Sequence, residues 1–195
     1  MEFAYLIPPA GQAIADVCLG VKPEHLDAAT PCPDWTVRQL VSHLRYWSPV
    51  LERAGRKQPV PTEPLPDADA DLAVDDWHER YAGQLTTLID AWRDPAAWTG
   101  TTRMTGPEGP APMYGGMVLC ELVLHGWDLA RATGQELVCS DEIAAAALQV
   151  VTPMAEQGRT MGAFGTPVDI DEPAPPLWRV LAVSGRDPQW TPLRG

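Results

Sequence analysis

Between Met113 and Thr133 the chain passes through its most apolar stretch, and its content around Met117 to Leu124 points to a helix buried on several sides. A helix that is apolar nearly all round has to be enclosed by other elements. The run is too short to cross a bilayer and is followed at once by His125 and Asp128, so its cover has to come from the chain itself. The segment is predicted to be a central helix, stopped by Gly134 as its C-terminal cap.

The surrounding sequence supplies partners at helical spacing. Pro8 and Pro9 suit a first helical turn, and Ala13, Ile14, Val17 and Cys18 continue it to Gly20. Thr36 is a candidate N-cap for a stripe of Val37, Leu40, Val41, Leu44, Trp47 and Leu51 that fades near Gly55. Leu72 to Trp92 carries Trp77, Tyr81, Leu85, Leu88 and Trp92 before Asp94-Pro95 ends it. Ser140 opens a further helix through Ala144, Ala147, Leu148 and Val151, with an interruption expected at Pro153 and an end near Gly158. A short helix is expected around Leu177 to Ser184. The connections are proline-rich: Val21 to Asp34 reads as an ordered loop and Gln58 to Asp71 as an exposed crossover. Trp98 to Thr105 could be extended before a turn at Gly106 to Gly109. The expectation is an all-α fold in a single domain, 1–195, with its core in 8–158 and a C-terminal strap in 159–195.

Charge and cysteine usage narrow the function. A net charge of -12 with a pI near 4.6, and no basic stripe, argues against nucleic acid as a partner. Cys18, Cys32, Cys120 and Cys139 are widely spaced without a C-x-x-C pair, which indicates neither a zinc knuckle nor a thioredoxin-like motif. With no basic leader and no membrane span, the expected location is cytoplasmic, as a monomer or homodimer with small-molecule partners.

Two polar residues inside the apolar helix need an explanation, because an unsatisfied buried polar group costs about 2 to 7 kcal/mol. Glu121 and His125 stand one helical turn apart on the same face, so their tips can converge. A third donor could come from His43 on the Thr36 to Gly55 helix, as in metal sites built between bundle helices. Two histidines and a carboxylate suit Zn2+, with Ni2+, Co2+, Fe2+ or Mn2+ also compatible, and leave a coordination position open for chemistry. On pattern alone, Glu-x-x-x-His is more often a helical salt link. Asp128 is the candidate catalytic residue: it could face the same pocket and hydrogen-bond a ligand or water, or equally form an ion pair on the helix surface. Cys120 points away as a packed thiol, Trp47 and Trp127 read first as core, and His25 and His78 as solvent-exposed.

Two blocks, TPCPDWTVRQLVSHL from Thr30 to Leu44 and ELVLHGWDLARATG from Glu121 to Gly134, together resemble the DinB-like N-terminal domains of mycothiol-dependent maleylpyruvate isomerases. The FGTPV and VSGRDPQW segments between Phe164 and Trp190 are similar to the ending of a short, metal-binding branch of that family. The resemblance implies a DinB-like four-helix bundle with a long crossover between helices two and three, here with an extra C-terminal helix and an irregular tail. It implies His43, Glu121 and His125 as metal ligands and mycothiol as cosubstrate. The implied function is a metal-dependent enzyme that activates a low-molecular-weight thiol for isomerisation of, or transfer to, a small electrophile. Two alternatives stay open: a metal-hydroxide hydrolase or hydratase without thiol, and a non-catalytic metal-binding module. A full second domain of the isomerase is missing after these blocks, so the reaction on maleylpyruvate itself does not carry over.

Overall fold

The computed structural model describes residues 3–33, 35–60 and 70–192. Among them six α-helices dominate: α1 Ile7–Leu19, α2 Val37–Gly55, α3 Trp77–Arg93, α4 Ala111–Ala132, α5 Asp141–Thr160 and α6 Pro176–Val183. The mostly helical expectation holds. Most of the crossover expected between α2 and α3 falls in 61–69, outside the described residues.

Each helix starts where its chemistry permits. Pro8 and Pro9 open α1. A reciprocal box opens α2: the Thr36 hydroxyl accepts from the Gln39 amide at 3.4 Å, while Gln39 Oε1 accepts from the Thr36 amide at 2.8 Å. Pro49 lies inside α2 and has no N–H for the Arg45 carbonyl one turn back; Gln84 Nε2 on α3 donates to that carbonyl at 3.1 Å. The lost helical bond thus becomes an interhelical one. Ser140 caps α5, which runs through Pro153 to Thr160 rather than breaking there. Beyond α4, Gly134 takes φ +70, the left-handed conformation that ends a helix most readily at glycine.

The apolar α4 is covered by α1, α2 and α5, and α3 completes the packing against α1 and α2. Val118, Leu119, Leu129 and Ala130 are fully enclosed. Helices α2 and α4 run antiparallel, with His43 beside Glu121 and His125 at one end, and Gly55 and Gly115 both against Trp92 at the other. Between α3 and α4 the expected strand shrinks to β1, Thr101–Thr102, paired antiparallel with β2, Gly109–Pro110. Trp98 belongs instead to a 3-10 turn, where its Nε1 donates to the Trp92 carbonyl at 2.6 Å and its indole meets Trp92 edge-on.

Gly115 lets that indole pair touch α4: a Cβ there would lie 2.5 Å from the Trp98 ring and 2.9 Å from Trp92. Neither buried ring can retreat without disturbing the other. Gly115→Ala is expected to lower stability by about 1–3 kcal/mol, the usual cost of overpacking a filled core, despite alanine's better helix propensity. Urea unfolding checks this; an unchanged or raised midpoint would mean that the tryptophans have room to move.

The tail returns to the bundle through α6, which packs on α5. Two stretches of tail then cross closely: Gly165 N–H donates to the Ser184 carbonyl at 3.1 Å and Val168 N–H to Ala182 at 3.0 Å. Gly185 takes φ +84, and a Cβ there would meet the Gly165 backbone at 2.5 Å. Glycine is required at this crossing for both reasons. The next residue, Arg186, is thereby turned inward. No helix of the described residues is long and apolar enough to cross a membrane.

Candidate metal centre

Three segments converge at one end of the bundle. Helix α2 brings His43, one face of α4 brings Glu121, His125 and Asp128, and the loop before α2 brings Cys32 and Trp35.

His43 Nε2 lies 3.5 Å from Glu121 Oε2, and His125 Nε2 lies 3.3 Å from the same oxygen. The three donor atoms lie within 4.8 Å of one another, a span that one ion can bridge. The structure therefore brings together all three residues singled out from the sequence. The two imidazoles meet edge to face, with centroids 4.9 Å apart. The Trp35 indole leans over both, at 4.5 Å from His43 and 5.8 Å from His125, and Trp47 flanks His43 at 6.2 Å. The histidine side chains are 14% and 12% exposed but Glu121 is 37% exposed, so the cluster opens to solvent on the carboxylate side.

Beneath His125 lies a network that sequence reasoning saw only in part. His125 Nδ1 donates to Asp128 Oδ2 at 3.1 Å. Asp128 is completely buried and does not pair with Arg131 on the helix surface. It is gripped by Arg186, whose Nε donates to Oδ1 at 2.9 Å and Nη2 to Oδ2 at 2.8 Å. Cys32 Sγ donates to Oδ2 as well, at 3.2 Å. Arg131 instead holds the tail, donating through Nε and Nη2 to the Trp190 carbonyl. Cys32 and Arg186 were not anticipated. The available signal was Asp128 itself, since a carboxylate sharing the inward face with His125 calls for a counter-charge that α4 does not provide.

The charges of the network are mutually dependent. Burial alone would raise the Asp128 pKa, but the Arg186 guanidinium, with the His125 hydrogen bond, holds it well below the usual carboxylate range. Partial burial opposes ionisation of Glu121, yet positive charge at His125, the His43 hydrogen bond and Arg186 bring it down to about 2. Burial first, and Asp128 second, push the Cys32 thiol upward, which suits a hydrogen-bond donor better than a nucleophile. Cys120 is buried and directs its thiol toward the Ala147 carbonyl at 3.7 Å, away from the cluster.

The two remaining histidines are half-buried rather than exposed. His78 stacks on Trp77 at 3.7 Å with its Nε2 2.9 Å from the Val21 carbonyl, and His25 Nδ1 accepts from the Lys22 amide. Neither belongs to a donor cluster among the described residues.

Residues 7–130 match the family described as the mycothiol maleylpyruvate isomerase N-terminal domain. The chain belongs to that family. Two uncharacterized proteins, from two strains of Mycobacterium tuberculosis, are each 27% identical to it over 181 residues, covering 91% of this chain and 93% of the relative. Solved structures of a mycothiol-dependent maleylpyruvate isomerase and of a histidine-to-alanine mutant of such an enzyme share the fold, with TM-scores of 0.62 and 0.64 at 19% and 18% identity. Each alignment covers 89% of this chain and 77% of the solved one. The family segment contains Cys32, His43, Glu121, His125 and Asp128, whereas Arg186 lies beyond its end.

Proposed function

We propose that His43, Glu121 and His125 hold a divalent metal, most suitably zinc, at the open end of a DinB-like four-helix bundle formed by α1 to α4. The chain would then act as a metal-dependent enzyme using a low-molecular-weight thiol, mycothiol in this family, for isomerisation of, or transfer to, a small electrophile. The observation that carries the metal reading is a convergence of donor atoms. His125 Nδ1 is engaged by Asp128, which aims Nε2 at Glu121 Oε2 at 3.3 Å, and His43 Nε2 lies 3.5 Å from the same oxygen. Three such atoms within 4.8 Å of one another are held together by shared protons or by one cation. Bonds of about 2.0–2.1 Å to a tetrahedral ion would separate its donor atoms by roughly 3.3 Å, close to the spacing of both histidines from the carboxylate.

A divalent ion at such a site lowers the pKa of a thiol bound to it, so that thiolate is available at neutral pH. The chain's residues do the rest. His43 and His125 turn their Nε2 atoms inward, and Glu121 adds the negative charge on the side that solvent and substrate can reach. Trp35 and Trp47 wall the histidines with apolar surface that limits water around them. Asp128, placed as the candidate for proton movement, is fully buried and already accepts from His125, Arg186 and Cys32. Its contribution is to orient His125.

The test is a mycothiol titration of the cobalt-substituted and metal-free chains, followed by cobalt absorption and calorimetry. The thiol should bind the metal form and add a sulfur-to-cobalt charge-transfer band, with no binding to the metal-free form. Equal binding to both forms, or none to the cobalt form, would overturn thiol activation.

A further inference from the structure

We infer that Arg186, supplied by the C-terminal tail from outside the family segment, is a positioning residue for the metal centre: its fork sets the rotation of the Asp128 carboxylate that aims His125. The inference rests on the metal reading above and deepens it.

The terminal torsion of an aspartate is soft, so a carboxylate held by one donor can turn. Arg186 grips both oxygens, Nε on Oδ1 and Nη2 on Oδ2, and such a two-point contact fixes the plane of the group. Oδ2 is then presented to His125 Nδ1, and an imidazole anchored at Nδ1 has its tautomer and ring direction set for a ligand role at Nε2. The guanidinium is itself seated: Nη1 lies 3.3 Å from Ser184 Oγ, and the Arg186 amide donates to the Leu181 carbonyl at 2.9 Å. The glycine crossing at Gly165 and Gly185 delivers it there. An ion pair this deeply buried adds little net stability compared with apolar residues of similar volume, so stability alone gives weak grounds for placing it here. Orientation of a metal ligand is what this geometry supplies.

Zinc affinity, measured by chelator competition, and nitrogen NMR of the metal-free imidazoles test the assignment. Arg186→Lys keeps the buried charge but loses the fork, and is expected to bind zinc about 10–100-fold more weakly, the usual effect of an outer-shell loss. Ser184→Ala loosens the guanidinium without removing it and should shift affinity in the same direction by a smaller factor, which serves if the lysine variant folds poorly. Arg131→Ala separates positioning from anchoring, since Arg131 ties the same tail to α4 through Trp190 without touching Asp128. It should leave zinc affinity near wild type. An equal loss in Arg131→Ala, or wild-type affinity in both Arg186→Lys and Ser184→Ala, would overturn the inference while leaving the metal reading intact. If the wild type binds no zinc, the metal reading falls, and NMR still decides the orientation. The His125 Nδ1–H signature should be present in wild type and lost or averaged in the Arg186 variant; if it persists there, Arg186 does not position the ring.

Discussion

Loaded with zinc and desalted, the wild-type chain should retain about one ion, and His125→Ala should retain none. Loss of a direct ligand should exceed the roughly 10–100-fold effect of losing an outer-shell partner, and two remaining donors do not make a closed or a catalytic site. His43→Ala and Glu121→Ala are expected to behave alike, because each removes one corner of the same donor set. The second readout is stability. Zinc at 100 times its dissociation constant should stabilise the wild type by about 2.7 kcal/mol through linkage, a rise of several degrees in melting temperature, and should leave all three variants unmoved. Elemental analysis with calorimetric scans reads both. A wild type that holds no zinc after reconstitution would return Glu121, His43 and His125 to a proton-sharing salt-linked cluster.

Asp128→Ala is expected to cost about 3–5 kcal/mol even in the metal-free protein, because it strands the Arg186 guanidinium in the core without its counter-charge. In a chain of this size that lowers the melting temperature by on the order of 10 °C. Removing both partners in Asp128→Ala/Arg186→Met should recover much of the loss, since the penalty belongs to the unpaired charge and the two effects are not additive. The pH dependence has a definite sign. The folded pKa of Asp128 is depressed, so its contribution is complete above the unfolded value of about 3.9 and fades as pH falls below it. The gap between wild type and Asp128→Ala should therefore be full at neutral pH and narrow below about pH 4. Urea midpoints across that range measure it; a gap that widens in acid would contradict an ionised buried Asp128.

Much of the helical layout was legible because its causes are local. Capping by Thr36 and Ser140, the proline-opened α1, and the stop at Gly134 are decided within a turn or two of the residue concerned. Local reading failed at Pro153, which does not break α5. It did not foresee how Pro49 is carried inside α2, where Gln84 from another helix takes up the carbonyl it leaves. Trp98 lies in a turn rather than a strand because its indole is drawn against Trp92 and Gly115.

The candidate centre divides along the same line. Sequence by itself determined that Glu121 and His125 share a face of the most apolar helix, since one helical turn separates them whatever the rest of the chain does. It offered His43 only as a possible third donor, which family resemblance then assigned, because no spacing ties it to α4. The tertiary structure decided which partner Asp128 takes: not Arg131, one turn along its own helix, but Cys32 from the loop before α2 and Arg186 from the returning tail. Periodicity describes the relation of a residue to its own helix. A buried counter-charge that arrives from far along the chain depends on how segments cross, here at Gly165 and Gly185, and that is settled only when the whole chain packs.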